Sequence, residues 1–183
     1  MSKLLKRALK LSILPASLMI AGKFLSVFIL IAIYQLQFSI ESGTSGIFSL
    51  QIFLEQQENV LQINSYSNLL TLLFIAIPTF YVLLRKTILQ KAKDNPRTIV
   101  KLTRLNILKW VTSDKTPILQ ISMWTMFLWI IAGICISSSM SGFTYEYIGI
   151  MAGVLAILAT WGMIRTFEME TDKIYPKNNQ AYY

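Results

Sequence analysis

The sequence predicts an all-α, polytopic integral membrane protein, with four transmembrane helices and amphipathic helices lying in the interface. Three observations carry this expectation. Hydrophobic residues make up 54% of the 183-residue chain and charged residues only 14%, against about 25% charged in soluble domains. Four stretches stay apolar over the roughly 20 residues that a bilayer crossing needs. Every Lys and Arg falls on one side of those stretches, and the loops on the other side carry only Glu. The apolar content also excludes disorder, and the length suits a single membrane domain over residues 1–183.

The spans are expected at 20–38, 67–84, 117–137 and 147–164. The first holds one charge, Lys23. The second is the least apolar, because Asn64, Ser65, Ser67 and Asn68 crowd its front end; tilting or local thinning of the bilayer accommodates such a segment. Basic residues precede span one, fill the loop 85–116 and follow span four, whereas loops 39–66 and 138–146 hold Glu41, Glu55, Glu58 and Glu146. The positive-inside rule then places both termini and the 85–116 loop in the cytoplasm, for a multi-pass protein of the cell membrane. Removing any one span would bring basic and acidic loops to the same side, so the charge pattern supports the weak second span as well.

Residues 1–15 read as an amphipathic helix. Lys3, Lys6, Arg7 and Lys10 share one side of a helical wheel, and Leu4, Leu5, Ala8, Leu9 and Leu11 share the other. Such a helix lies in the cytoplasmic interface with its basic face on anionic headgroups, and Pro15 is expected to end it. The basic start resembles a signal peptide, but the apolar run is too long and no small-residue cleavage site closes it, so an uncleaved span is expected.

In the loop 39–66, Phe48, Leu50, Ile52 and Leu54 alternate with Ser49, Gln51, Phe53 and Glu55, which is strand periodicity. Val60 to Ile63 forms a second short apolar run, which leaves two readings: a plain, partly apolar loop, which is favoured, and a small β-hairpin. In the loop 85–116, Asp94-Asn95-Pro96 is a helix start. From Arg97 to Val111 the basic residues Arg97, Lys101, Arg104 and Lys109 oppose Ile99, Leu102, Ile107, Trp110 and Val111, the pattern of a second interfacial helix. The tail 165–183 is polar and expected to fray.

Few residues can carry chemistry. The chain has no His and one Cys, Cys135, which removes His-based catalysis, a structural zinc and a disulfide framework. Cys135 sits in an apolar span without a base, where a thiol stays protonated. An intramembrane Lys is a functional candidate by default, but Lys23 is expected to snorkel to the cytoplasmic interface and join Lys3, Lys6, Arg7 and Lys10 on lipid headgroups. No Asp or Glu lies within a span interior, which argues against a proton relay. Gly149 and Gly153 form a GxxxG, extended by Ala152, Ala156 and Thr160 into a small-residue face for close helix packing. Pro78 is expected to kink span two, its freed carbonyl taken up by Thr79 or a neighbouring helix. Tyr145, Tyr147 and Trp110 suit the aromatic belts, and Trp124, Trp129 and Trp161 read as packing. The basic loop carries almost no aromatic interleaving, so no nucleic-acid partner is expected. No cofactor or metal site is legible and no catalytic constellation appears. The sequence therefore points to a non-catalytic structural or assembly subunit of a membrane complex, contacting a membrane-protein partner or further copies of itself. The alternative is a small oligomeric channel or transporter.

Overall fold

The computed structural model describes residues 3–35, 38–42, 50–54, 57–94, 104 and 117–174. It contains four long helices and one hairpin: α1 (Lys3–Tyr34), β1 (Phe38–Ser42), β2 (Leu50–Leu54), α2 (Gln57–Asp94), α3 (Pro117–Met140) and α4 (Glu146–Ile174). Each helix contains a window long and apolar enough to cross a membrane: Leu5–Tyr34, Asn59–Ile88, Ile118–Met140 and Glu146–Glu168. That is the pattern of a multi-pass membrane protein, and it agrees with the four spans read from the sequence.

α2 and α3 form the centre, each packing against all three other helices, with α1 and α4 on opposite sides of the pair. Two of the hydrogen bonds between elements mark the hairpin end of the bundle. Gln62 Nε2 donates to Tyr34 Oη at 3.2 Å, and Asn64 Nδ2 donates to the Phe143 carbonyl at 2.7 Å. The start of α1, the end of α2, the start of α3 and the end of α4 consequently share the opposite, basic end.

The surface is apolar where a soluble protein would be polar. Ile77 and Ile150 are 66% and 68% exposed, while Leu72, Ile75, Leu128, Ile148, Ala152 and Ala156 are fully buried between the helices. The main core joins α2, α3 and α4, with Leu18 and Met19 of α1 packed against it. A smaller cluster of Leu30, Ile31 and Ile63 closes α1 onto α2 near the hairpin end.

Several boundaries differ from expectation. α1 runs unbroken through Pro15 rather than ending there, so no separate interfacial helix precedes it among the described residues. Proline removes one backbone hydrogen bond, but in a run this apolar the other backbone groups have no partner except the helix itself. Pro15 is also fully buried, which holds it in place by packing. α2 begins at Gln57, so Val60–Ile63 is helical rather than a strand. The strand Leu50–Leu54 exists, but it pairs antiparallel with Phe38–Ser42, Phe38 opposite Leu54 and Ser42 opposite Leu50. The chain that was expected to end span one at residue 38 therefore turns into the hairpin after Gln35, a left-handed residue with φ 49°. Of the amphipathic segment 97–111, only Arg104 is described, and it is helical and exposed; the rest, like the tail beyond Ile174, lies outside the described residues.

The α3–α4 turn is a Schellman motif. Phe143 N–H donates to the Ser138 carbonyl at 2.9 Å and Gly142 N–H to the Ser139 carbonyl at 3.1 Å, with Gly142 at φ 75°. A side chain there would occupy a left-handed conformation that disfavours Cβ by roughly 1–2 kcal/mol. Gly142→Ala is therefore expected to destabilise the turn by about that amount, measured as a lower thermal unfolding midpoint in detergent.

Candidate functional site: a lysine-centred polar network

Lys23 lies about 30 Å along α1 from Lys3 and about 16 Å from Tyr34 at 1.5 Å per residue, in the half of the bundle nearer the hairpin. Its ammonium does not reach back to the basic end, as snorkelling requires. It donates to three neutral acceptors on α2: Asn64 Oδ1 at 3.2 Å, Ser67 Oγ at 2.7 Å and Asn68 Oδ1 at 2.5 Å. Positions i, i+3 and i+4 lie on one helix face, which is why a single ammonium meets all three. An ammonium has three donors, and all three are used.

The network continues beyond Lys23. Asn68 Nδ2 donates to Thr144 Oγ1 at 2.9 Å, Asn64 Nδ2 to the Phe143 carbonyl at 2.7 Å, and Tyr145 N–H to Ser65 Oγ at 3.0 Å. Ser67 Oγ donates to the Asn64 carbonyl at 3.0 Å. One charge on α1 is thereby joined to α2 and, through α2, to the α3–α4 turn. Ser65, Ser67, Asn68 and Thr144 are all buried. In the span windows the only acids are Glu146 and Glu168, at the two ends of the fourth window, and no carboxylate is among the three acceptors of Lys23. Cys135 is buried beside the network, its Sγ 4.0 Å from the Asn68 carbonyl. Further along α2, Leu72, Ile75 and Ala76 belong with Leu128, Ile131 and Ala132 of α3 to the main core cluster, in which the buried hydroxyls of Thr71, Thr79 and Thr125 are interspersed.

The other candidate residues fall elsewhere. Lys6, Arg7 and Lys10 are exposed at the basic end; the side chain of Lys3 lies outside the described residues. Gly149 faces α3, where a Cβ would stand 2.9 Å from Ser139 Cβ and 3.5 Å from Ile136 Cα. Gly153 is looser, its nearest neighbour being Ile136 Cδ1 at 3.7 Å. Ala156 is fully buried in the main core. The small-residue face thus packs within the bundle. Pro78 lies inside an unbroken α2; the Thr79 hydroxyl donates to the Ile75 carbonyl at 2.7 Å, not to the Phe74 carbonyl that Pro78 frees. Trp124 is buried, whereas Trp129 and Trp161 are exposed, Trp129 donating to Thr160 Oγ1 at 2.8 Å and Arg165 lying over the Trp161 ring. Tyr145 and Tyr147 stack at 5.6 Å, with Tyr66 edge-on to Tyr145.

Both halves of the network, Lys23 and the polar run Asn64–Asn68, are visible in the sequence, but their contact is not. The i, i+3, i+4 spacing of Asn64, Ser67 and Asn68 was the available signal, since it marks one polar face on a helix otherwise apolar. No protein-family model, curated protein or solved structure matches the chain.

Proposed function

We propose that the protein is a non-catalytic structural or assembly subunit of a membrane complex. The observation that carries this reading is the state of Lys23, the one charge well inside a span. Its three donors are taken up in tying α1 to α2, and α2 in turn holds the α3–α4 turn. A lysine engaged in this way is a brace rather than a reactive group, and the mainly apolar core further along α2 supports a packed bundle over the channel or transporter alternative. The surfaces left for a partner are the apolar outer flanks of the four helices, exposed for example at Ile33, Ile77, Met126 and Ile150. The experiment is extraction in mild detergent and identification of co-purifying proteins. A stoichiometric membrane-protein partner, or a defined homo-oligomer without a polar central path, supports the reading. A solute flux in liposomes containing only this chain overturns it.

The same reading places the basic end, with both termini, in the cytoplasm of a cell-membrane protein, Lys6, Arg7 and Lys10 meeting anionic headgroups. A reporter enzyme active only outside the membrane is expected to be active when fused near Gly43 and silent at either terminus. Activity at a terminus reverses the orientation.

A further inference from the structure

We propose that the cradle formed by Asn64, Ser67 and Asn68 is a monovalent-cation site whose built-in occupant is the Lys23 ammonium. Three neutral oxygens converge on one position at 2.5–3.2 Å from the nitrogen. Neutral oxygen donors suit a desolvated monovalent cation, whereas hard divalent cations call for carboxylates, and none of the three donors is a carboxylate.

The cradle is also built independently of its occupant. The two amides are oriented from behind, Asn64 Nδ2 by the Phe143 carbonyl and Asn68 Nδ2 by Thr144 Oγ1. These bonds turn both Oδ1 atoms toward Lys23. Ser67 directs its proton to the Asn64 carbonyl, which leaves its lone pairs facing the same point. Each oxygen is thus oriented by at least one bond that does not involve the ammonium. The position lies beside the α3–α4 turn, and Lys23 and Asn64 are only partly buried, so the site is not closed off on every side. A tethered ammonium makes this half of the bundle independent of the surrounding salt. The inference goes beyond the assembly role, because it concerns the chemistry of the isolated chain and its test needs no partner.

The experiment uses the full chain carrying Lys23→Ala in detergent, with thermal unfolding followed in ammonium, methylammonium, potassium or choline chloride at equal ionic strength. The variant is expected to unfold about 2–4 °C higher, saturably, in at least one of the three small cations than in choline. The unmodified protein is expected to show no such difference, and Lys23→Ala/Asn68→Leu is expected to lose it. Recovery of folded Lys23→Ala only when a small cation is present supports the proposal equally. Equal midpoints in the small cations and choline overturn it. So does the same rise in the unmodified protein or the double variant, or a Lys23→Ala chain that folds in none of the salts.

Discussion

Lys23→Met is expected to destabilise the hairpin half of the bundle by about 1–3 kcal/mol, the cost of leaving buried polar groups without a partner. Methionine keeps most of the apolar stem, so the loss isolates the ammonium. Two effects oppose each other here. Removing a charge from an apolar setting relieves desolvation, but taking away one partner of an established buried contact is the costly direction, and Asn64, Ser67 and Asn68 are all left behind at once. In a chain of this size each kcal/mol lowers the unfolding midpoint by roughly 2–4 °C. Lys23→Arg is expected to recover only part of the loss, because a planar guanidinium cannot point three donors at one converging set of oxygens as an ammonium does. An unchanged midpoint for Lys23→Met in detergent would mean that the ammonium contributes nothing to the fold.

The second large effect is expected at Gly149. In Gly149→Leu the new Cβ would stand 2.9 Å from Ser139 Cβ and 3.0 Å from Ser139 Oγ, with the Ile136 backbone at 3.5 Å. None of these atoms is the free end of a long side chain, so α3 and α4 must separate. Overpacking of this kind costs on the order of 1–3 kcal/mol, occasionally more, and it opens the layer held by Ile148, Ala152 and Ala156. Gly153→Leu is expected to be milder, since its Cβ meets only the flexible end of Ile136 at 3.7 Å. An open groove of ≈ 390 Å³ lined by Ile136, Ile150 and both glycines also runs beside it. Thermal midpoints of the two variants check the order. If Gly153→Leu proves the more damaging, or if Gly149→Leu changes particle size and leaves stability intact, the face belongs to an interface between chains and not to the bundle.

The number of helices and their alternation were legible in the sequence, because both follow from coarse quantities: apolar length and the side on which Lys and Arg collect. The ends of the helices were less legible. Pro15 carries a strong local stop signal that the apolar surroundings override, and Gln57–Ser67 looks like polar loop by composition yet continues α2. The alternation at Leu50–Leu54 offered a strand only as the less favoured alternative to a plain loop, and its partner was set by the turn after Gln35 and not by the nearest apolar run. Gly149 and Gly153 were legible as a packing face; which of them is tight depends on where Ser139 falls on α3. The destination of Lys23 was hidden for the same reason. Its position in the sequence suggested the basic end, whereas its depth depends on how far α1 extends before it and on the register of α1 against α2.

The central claim is that Lys23 is engaged inside the bundle, and a double-mutant cycle between Lys23 and Asn68 tests it most directly. Lys23→Met, Asn68→Leu and the double variant are compared by unfolding in the same detergent. Residues that share a hydrogen bond are expected to be non-additive, with a coupling of about 1–2 kcal/mol and a double variant much less destabilised than the sum of the single ones. Additive losses would place the ammonium elsewhere, and the brace, together with the assembly reading that depends on it, would have to be abandoned.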